Sequence, residues 1–373
     1  MPRPLRVAAL AASLVTLPVP ASARQDQPSA FDRAWGLARW YDDSSNPVVQ
    51  TVLFTGRFQH EFARVSDDGA EHEEWNVRRM RLGLRSDFLR SLRLHVEADL
   101  NPQEREPFFT KLTDAYLEWS PSSDVAVTVG KHGVAFTVDG STSSKELLTI
   151  DRSNLANNLW FTDEYVPGVS ASVARSRWDW TVGAFSAGDE DRGFGDFSGG
   201  VFTLASLGYD LSGATGAEQT RIQASWVWQE PDVDNSFTRP LQHVGSLGVF
   251  LEDDRFGLRA DLTGGRGYLG QSDLWGASLM PYVDVGDAFQ VVLRLTRISS
   301  SDPNGVRFAR YESELLGGRG DRYREAYLGG SWFVYGHKLK VQAGLQAADM
   351  RDEAADGGVY SGVGLTAGLR LSW

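Results

Sequence analysis

Charged side chains recur at every second position in several stretches of this sequence. Residues 75–88 set three arginines against three apolar residues: Arg79, Arg81 and Arg85 alternate with Met80, Leu82 and Leu84. Residues 338–348 repeat the pattern with the lysines Lys338 and Lys340. Rows of arginine or lysine that face a narrow aqueous path attract and select anions. The forked guanidinium of arginine suits phosphate because it can donate two parallel hydrogen bonds.

Residues that could perform catalysis are few and follow no known arrangement. The sequence holds six histidines: His60, His72, His95, His132, His243 and His337. None stands in a recognisable Ser-His-Asp arrangement, since such triads are defined by geometry. No glycine-rich phosphate loop or cluster with metal-ligand spacing occurs. We therefore predict no catalytic residue, no metal and no cofactor. A barrel enzyme and a plugged structural or adhesive barrel remain as alternatives.

The elements that must present these charges are β-strands, because side chains alternate faces along a strand. The last stretch, Val359 to Trp373, carries apolar residues at alternate positions from Leu365 to its final aromatic. This alternation is typical of a strand with one lipid-facing side. A charge in mid-bilayer costs about 2–4 kcal/mol, so the charged face must point into water. The pattern predicts an all-β fold, a transmembrane antiparallel β-barrel with an aqueous interior.

Sixteen strands are predicted from residue 48 onward. Their approximate ranges are 48–64, 75–87, 91–99, 112–120, 123–130, 164–174, 178–187, 199–210, 218–229, 241–251, 255–264, 274–285, 288–298, 322–334, 337–348 and 359–373. Short and mostly longer connections alternate, the longer ones lying at 65–74, 100–111, 131–163, 188–198, 230–240, 265–273, 299–321 and 349–358. Outer-membrane barrels have this layout, with tight periplasmic turns and longer external loops. About 16 strands are enough to leave a channel.

The N-terminus has the composition of a secretory signal peptide. Arg3 and Arg6 precede an apolar run that is too short to span a membrane, and Ala21-Ser22-Ala23 forms a small-residue cleavage site. The later sequence contains no apolar stretch long enough for a membrane helix. Cysteine is absent, so no disulfide is expected.

These observations divide the chain into three parts. Residues 1–23 are the predicted signal peptide, residues 24–47 a periplasmic segment with a short helix at Phe31 to Tyr41, and residues 48–373 the barrel.

The longest connection, Lys131 to Asp163, is the third of the long ones. Loops of about 30 residues are usually functional. This loop contains Leu147-Leu148-Thr149-Ile150 together with the apolar residues Leu155, Leu159, Trp160 and Phe161. A loop so apolar would not stay in bulk water. We expect it to fold into the lumen and narrow the pore.

Several blocks in order carry a family resemblance. They are Trp75 to Leu84, Val96 to Leu100, Leu112 to Trp119, Val129 to Phe136, Thr142 to Asn154 and Glu164 to Ser172. Together they resemble the phosphate-selective porins O and P of Gram-negative outer membranes. The resemblance covers roughly residues 50–185, and beyond them only the strand pattern and Trp373 carry it. It implies a 16-stranded trimeric barrel with an inward-folded third loop and basic residues that guide anions.

Positions within the matching blocks supply six candidate residues for the pore lining and for anion binding. The resemblance implies an electrostatic role for Arg78, Arg79, Arg81, Lys131, Lys145 and Arg152. Strict alternation points Arg78 away from the lumen, so it can reach the water only at the strand end or beside a bulge. Alternatively, these cations pair with acids of the lumen and only brace the wall, the candidate acids being Glu97, Asp99, Asp114 and Glu118.

The charge balance departs from a simple anion pore. The formal net charge is −12, and removal of Arg3 and Arg6 leaves 35 basic against 49 acidic residues. This balance argues against nucleic-acid binding as the main role. Many acids cluster in the predicted loops, among them Asp67, Asp68, Glu71, Glu73 and Glu74, where they could solvate the loops, bind divalent ions with lipopolysaccharide or repel anions.

The sequence as a whole predicts a passive diffusion porin of the Gram-negative outer membrane and not an enzyme. We expect small anions such as phosphate as solutes. The other expected partners are outer-membrane lipid, lipopolysaccharide and two further copies of the chain in a homotrimer. A general porin without phosphate preference is the alternative.

Overall fold

The computed structural model describes residues 28–103, 106–159, 165–187, 200–235, 239–303, 305–354 and 358–373. The predicted signal peptide, residues 1–23, lies outside these ranges. The described residues form one antiparallel sheet with five short helices. None of these helices is long and apolar enough to cross a membrane.

Short helices occur before the barrel and in the connections between strands. They are α1 (Ala30–Gly36), α2 (Val138–Ser141), α3 (Asn154–Leu159), α4 (Ser212–Thr215) and α5 (Glu312–Leu315). The strands are β1 (Arg39–Asp42), β2 (Val49–Asp67), β3 (Ala70–Phe88), β4 (Leu92–Leu100), β5 (Phe109–Ser122), β6 (Val125–Gly133), β7 (Tyr165–Arg175), β8 (Trp178–Ser186), β9 (Val201–Asp210), β10 (Gln219–Gln229), β11 (Leu241–Asp253), β12 (Phe256–Gly267), β13 (Leu274–Val285), β14 (Phe289–Ser300), β15 (Arg322–Tyr335), β16 (Leu339–Arg351) and β17 (Tyr360–Ser372).

Strands β2 to β17 form a closed barrel of sixteen strands. Each pairs antiparallel with the next along the chain, and β17 pairs with β2, where Leu369 lies opposite His60. Closure leaves no unpaired sheet edge within the wall, which hydrocarbon requires because it offers no other hydrogen-bond partners. The predicted barrel of about 16 strands is confirmed, and each predicted strand overlaps one of these.

The two faces of the wall differ as the alternation predicted. On β4, Leu94 and Val96 are exposed on the outside while Glu97 is buried. On β16, Val341 and Leu345 are exposed while their neighbours Lys340, Gln342 and Gly344 point inward and are buried. On these strands the polar side chains therefore face the interior, and the apolar ones form the outer surface.

The connection predicted as a long loop at residues 65–74 is a two-residue turn. Asp68 and Gly69 both have positive φ angles, 41° and 89°. Turns of this kind match the twist of the two strands they join, and Asp-Gly is a favoured sequence for them. Glu71, Glu73 and Glu74 lie on β3 and not in a loop, so the prediction was wrong for this connection.

The predicted helix at Phe31 to Tyr41 is also shorter than expected. Helix α1 begins after Ser29, whose side chain and that of Asp32 form a reciprocal cap, and it ends at Gly36. Residues Arg39–Asp42 form β1 instead, which pairs with the start of β2 beyond the end of β17. Pairing with an available edge outweighed the local helical pattern.

Candidate functional site in the constricted lumen

The third loop, residues 134–164 between β6 and β7, bonds to strands on the far side of the barrel. The Asp261 carboxylate on β12 accepts hydrogen bonds from the backbone of Val138 and Asp139, at 2.7 and 2.9 Å. Arg370 on β17 donates to the Ile150 carbonyl at 2.8 Å. Both strands offer these side chains from their inward, buried face. The described part of the loop therefore crosses the interior and narrows the lumen.

Buried donors on β14 and β16 hold the tip of this loop. Arg294 donates to the Asp151 carbonyl at 2.7 Å. Lys340 and Gln342 both donate to the Leu147 carbonyl, at 2.8 and 3.0 Å. A buried carbonyl without a donor costs free energy, so these side chains fix the position of the tip.

The apolar residues of the third loop are buried. Leu147, Leu148 and Ile150 are each less than a tenth exposed. Leu155 and Leu159 on α3 join an apolar cluster that extends to the wall, with members Phe136, Val166, Phe185, Phe202 and Phe308. Trp160 and Phe161 lie outside the described residues. This apolar packing holds the loop against the wall, to which the polar groups of the loop also form hydrogen bonds.

Arg78 lies at a β-bulge in β3. Its two neighbours in β3 pair with consecutive residues of β2, Gln59 and His60, so Arg78 is an extra residue in the ladder. A bulge re-aims the side chain of the extra residue. Arg78 Nε lies 3.5 Å from Asp151 Oδ1 and 3.9 Å from Glu61 Oε1, both in the interior. Arg78 thus faces the lumen although simple alternation pointed it outward.

Four guanidinium groups surround the tip of the third loop beside two carboxylates. We call them the arginine group: Arg78, Arg79, Arg310 and Arg370. Burial by itself would raise the pKa of Asp151, but the charges of these arginines outweigh it and lower that pKa to about 2. The second carboxylate, Glu61, lies 2.7 Å from Arg370 and 3.9 Å from Arg310. Arg310 also lies 4.0 Å from Glu74.

Water reaches the arginine group mainly through two of its members. The side chains of Arg78 and Arg310 are 30% and 35% exposed, whereas that of Glu61 has no exposed surface. Arg79 donates to the Gln59 side chain at 3.0 Å and is almost buried. The neighbouring carboxylates of Asp151 and Glu74 are exposed to a similar extent, 25% and 30%, so both signs of charge face the water at this point of the lumen.

A second set of cations lies along β2 and β3. Arg57 bonds to Glu97 at 3.0 Å and donates to the third loop at 2.7 Å. Arg81 donates to Asp99 at 3.2 Å and to the Tyr165 hydroxyl at 2.8 Å. These contacts match the alternative in which lumen cations pair with lumen acids and brace the wall.

The six predicted pore-lining residues differ in their access to water. Arg79 and Arg81 are only 5% and 4% exposed, and Lys131 has no exposed surface. Lys131 can act on a solute through its field but cannot touch it. Arg78, the position that alternation placed outward, is the most accessible of the three predicted pore-lining arginines on β3.

The two predicted residues of the third loop are partly exposed and stabilise the loop itself. Lys145 donates to the backbone oxygen of Trp373 at 3.2 Å. Burial and then the nearby charge of Arg57 lower the pKa of Lys145 to about 8. Arg152 donates to the carbonyls of Asp139 and Thr142, at 3.2 and 2.7 Å.

Sequence reasoning missed several cations of this site. Arg57, Arg294 and Arg370 occupy inward positions of predicted strands, so the same alternation could have identified them. Arg310 lies in a connection, where no periodic pattern points to the lumen. Its position follows from contacts with residues far away in the sequence.

The seventh loop, residues 301–321 between β14 and β15, also enters the interior, although it was predicted to be external. The Tyr311 hydroxyl bonds to the Glu61 carboxylate on β2. Glu312 accepts hydrogen bonds from Tyr323 and Gln346, at 2.8 and 2.9 Å, and is completely buried. Burial raises the pKa of Glu312 to about 7. Two loops, and not one, therefore shape the constriction.

Among the described residues, no group of three or more His, Asp or Glu side chains could hold a metal ion. His132 bonds within the wall, to Ser170 at 2.8 Å, and His243 stacks on the outward-facing Trp226. The arrangement in the lumen is electrostatic, with cations placed along a narrowed aqueous path.

Several solved structures share the fold of this chain. An anion-selective porin from Comamonas acidovorans is 14% identical, with a TM-score of 0.61 over 86% of this chain and 99% of that one. OprB of Pseudomonas putida is 10% identical, with a TM-score of 0.65 over 86% and 94%. OmpT of Vibrio cholerae, in its trimer form, is 12% identical, with a TM-score of 0.57 over 87% and 99%. At these identities the likeness establishes the fold.

The sequence itself identifies the family. Comparison with curated proteins gives no match. The profile of the family described as phosphate-selective porin O and P matches residues 52–279, which is more than half of the chain and extends well past residue 185, the approximate end of the resemblance noted in the sequence. The chain therefore belongs to the phosphate-selective porin O and P family, and its closed sixteen-stranded barrel is that of a porin of the Gram-negative outer membrane.

Proposed function

We propose that this porin prefers anions and that inorganic phosphate is among its solutes. The observation that carries the proposal is the arginine group beside the tip of the third loop. Its four cations outnumber the nearby carboxylates Asp151, Glu61 and Glu74, and the exposed members Arg78 and Arg310 are positively charged. An excess of positive charge at the narrowest part of a pore raises the local concentration of anions.

The mechanism is passive diffusion. An anion that enters the constriction exchanges part of its hydration shell for the donors of Arg78 and Arg310 and leaves because these contacts are few. Arginine suits a phosphate oxygen pair because its donors form a rigid fork. The buried cations Arg57, Arg81 and Arg294 hold the wall and the third loop, so they set the width of the path. No energy source is required.

The descriptions of the family and of one similar porin support this proposal. The family carries phosphate selectivity in its description, and the porin from Comamonas acidovorans is described as anion-selective. The acidic net charge of the chain points the other way and favours a general porin as the second candidate. The two candidates differ in ion preference, which a current measurement can distinguish.

Reversal potentials in planar bilayers test the proposal. Purified protein is reconstituted in neutral lipid, and the reversal potential is measured under a KCl gradient. We expect the sign that corresponds to chloride permeating faster than potassium, and we expect added phosphate to reduce the chloride current. A potential of the opposite sign refutes anion preference. Anion preference with no effect of phosphate leaves the general anion porin.

We also propose that the protein is a homotrimer. OmpT of Vibrio cholerae, which shares the fold, is described in a trimer form. Light scattering of the protein in detergent, after size-exclusion chromatography, measures the mass of the assembly. A mass of three chains agrees with the proposal, and a single-chain mass in several mild detergents contradicts it.

A further inference from the structure

Glu312, on helix α5 of the seventh loop, carries a carboxyl group without exposed surface. One of its oxygens accepts hydrogen bonds from the Tyr323 hydroxyl and the Gln346 amide, and the other accepts one from the backbone N–H of Ala309 at 3.0 Å. All three donors are neutral. Among the residues that the structure describes, no cation forms an ion pair with Glu312. The carboxyl group therefore has hydrogen-bond partners but no compensating charge.

The ionisable groups of the wall that face Glu312 cannot supply that charge. Arg294 on β14 and Glu325 on β15 form a two-point ion pair, at 2.7 and 3.1 Å, so each already compensates the other. Tyr323 on β15 and Tyr360 on β17 are phenols, which carry no charge at neutral pH. Ionisation of Glu312 would therefore add an unbalanced charge to this part of the interior.

Apolar side chains surround this end of the seventh loop. Phe308 of the loop packs in one cluster with Met350 on β16 and Tyr360 on β17, and its ring meets that of Tyr360 edge-on at 6.1 Å. Leu315 of the loop packs against the same cluster. An ionised carboxylate is costly in such surroundings. Burial accordingly raises the pKa of Glu312 from 4.5 to about 7, so the docked loop holds a proton that a solvated loop would release.

The two residues before Glu312 connect this loop to the constriction. The Tyr311 hydroxyl bonds to Glu61 on β2, and Arg310 lies 4.0 Å from Glu74 on β3. The acids of these two strands therefore face the neighbours of Glu312. Because α5 is a short helix in one continuous segment, release of its buried carboxyl would also withdraw Arg310 from the arginine group.

We propose that the seventh loop is a pH-operated gate, which is docked in the lumen while the Glu312 carboxyl is protonated and is released when that carboxyl is ionised. The released loop would leave a wider path with one cation fewer. Conductance should therefore rise with pH, and anion preference should fall. This gate requires only that the chain is a pore, so its failure would leave the proposed anion preference untouched.

The direction of the pH dependence follows from the two states of the loop. The pKa of Glu312 is higher in the docked loop than in the released one, so protonation stabilises the docked loop. This stabilisation is complete below about pH 4.5 and is lost as the pH rises to about 7. Above that pH the carboxyl is ionised in both states, and the balance between them stays constant.

The mobility of a nitroxide on α5 measures release of the loop. The chain contains no cysteine, so Ser313→Cys, at an exposed position, provides a single attachment site in the full-length protein. In lipid vesicles the ratio of mobile to immobile label should rise roughly fortyfold between pH 5 and pH 7 and then level off, given a pKa of 4.5 in the released loop and about 7 in the docked one. An unchanged ratio would overturn the gate.

Two variants in the labelled protein assign the pH dependence to one carboxyl group. Glu312→Gln cannot ionise, so its ratio of mobile to immobile label should be independent of pH, whatever its level. Glu314→Gln is the matched control, because it removes an exposed carboxylate of the same helix. It should keep the full change. A change that persists in Glu312→Gln would overturn the role of Glu312 and would point to another group, such as His72, which lies 3.5 Å from Glu74.

Single-channel conductance shows whether release of the loop opens the pore. Between pH 5 and pH 7 the conductance of the unlabelled wild type should rise in parallel with the mobile label, and that of Glu312→Gln should stay constant. The titration of Lys145 lies higher, near pH 8, and does not overlap this range. A mobile label with constant conductance would overturn the gate. If Glu312→Gln fails to insert into the membrane, the two wild-type titrations still decide the outcome, since both use the native carboxyl.

Discussion

At the scale of single residues, the cations of the lumen have two different roles. Arg79 and Arg81 are almost buried, and Arg81 is paired with Asp99, so they hold the wall together. Arg78 keeps 30% of its side chain exposed because a bulge turns it inward. Arg310 reaches the same place from the seventh loop. Which cations water can reach is therefore set by their position in the tertiary structure, and not by residue type.

The substitutions Arg78→Gln and Arg310→Gln should each reduce anion preference. A unit charge about 7 Å away in water attracts an anion by about 0.6 kcal/mol and repels a cation by the same amount, so the chloride-to-potassium permeability ratio should fall about sevenfold for each variant. The reversal potential under a KCl gradient measures this ratio. Arg297→Gln is the matched control, since it removes the same charge from the outer surface. A ratio that falls equally in the control would contradict a local role for Arg78 and Arg310.

Anion preference should also depend on pH through Lys145. Its pKa is lowered to about 8, first by burial and then by Arg57, so its ammonium group loses a proton as the pH rises through 8. The permeability ratio should decrease between one pH unit below and one unit above this value. Lys145→Gln should remove that step. The folded-state pKa lies below the ordinary value of 10.5, so this group makes the barrel more stable as the pH rises from about 8 to 10.5.

At the scale of elements, the constriction is built from two loops that bond to each other. The backbone N–H of Arg307 donates to the Asn158 side chain at 2.8 Å, and Asn154 donates to the Arg307 carbonyl at 3.0 Å. Helix α3 is therefore fixed from the seventh loop as well as from the wall. A loop held by its tip, its helix and its apolar side chains keeps a defined width.

The double variant K340M/Q342L should loosen the tip of the third loop. Both substitutions remove donors to the Leu147 carbonyl, and a hydrogen bond to a charged group contributes about 1.5–3 kcal/mol. We expect single-channel conductance to rise and to become noisier. Val341→Ala, between them on the lipid-facing side, should leave the conductance unchanged. Unaltered conductance in the double variant would mean that the other contacts suffice.

At the scale of the whole molecule, the membrane determines which substitutions the wall tolerates. The outer surface is apolar across the middle of the barrel, as at Leu262 on β12 and Leu345 on β16, both exposed. The interior carries the charged and polar side chains of the wall and is narrowed by two loops. Strands β2 and β3, at 19 residues each, are longer than the about 9–11 residues that cross a bilayer, so their hairpin extends beyond it.

An arginine in the middle of the lipid-facing surface should destabilise the barrel. Leu262→Arg, at the middle of β12, should lower the free energy of unfolding by about 2–4 kcal/mol, because the charge enters hydrocarbon. Val285→Arg, at the end of β13 and equally exposed, should lower it by about 0–1 kcal/mol. Denaturant unfolding from lipid vesicles measures both. Similar losses at the two positions would contradict the membrane placement.

The sequence by itself determined the wall of this protein. Alternation with a period of two is a local property, and it sufficed for the number of strands, for the face of Leu94 and of Glu97, and for closure. Alternation did not predict the tight turn at Asp68 and Gly69, because such a turn between two long strands contains the same kinds of charged residue as a long loop. Alternation also failed to predict β1 at Arg39–Asp42, because the strand that pairs with β1 lies outside the short stretch of sequence in which the pattern is read.

Only the tertiary structure decided which charges face the water. Arg78 needed a bulge, whose position depends on the register of two strands, and Arg310 needed contacts with Glu61, about 250 residues away in the chain. The exposure of Arg79, Arg81 and Lys131 likewise follows from what packs over them. The sequence determines which residues are charged, but the packing of distant segments determines which of these charges water can reach.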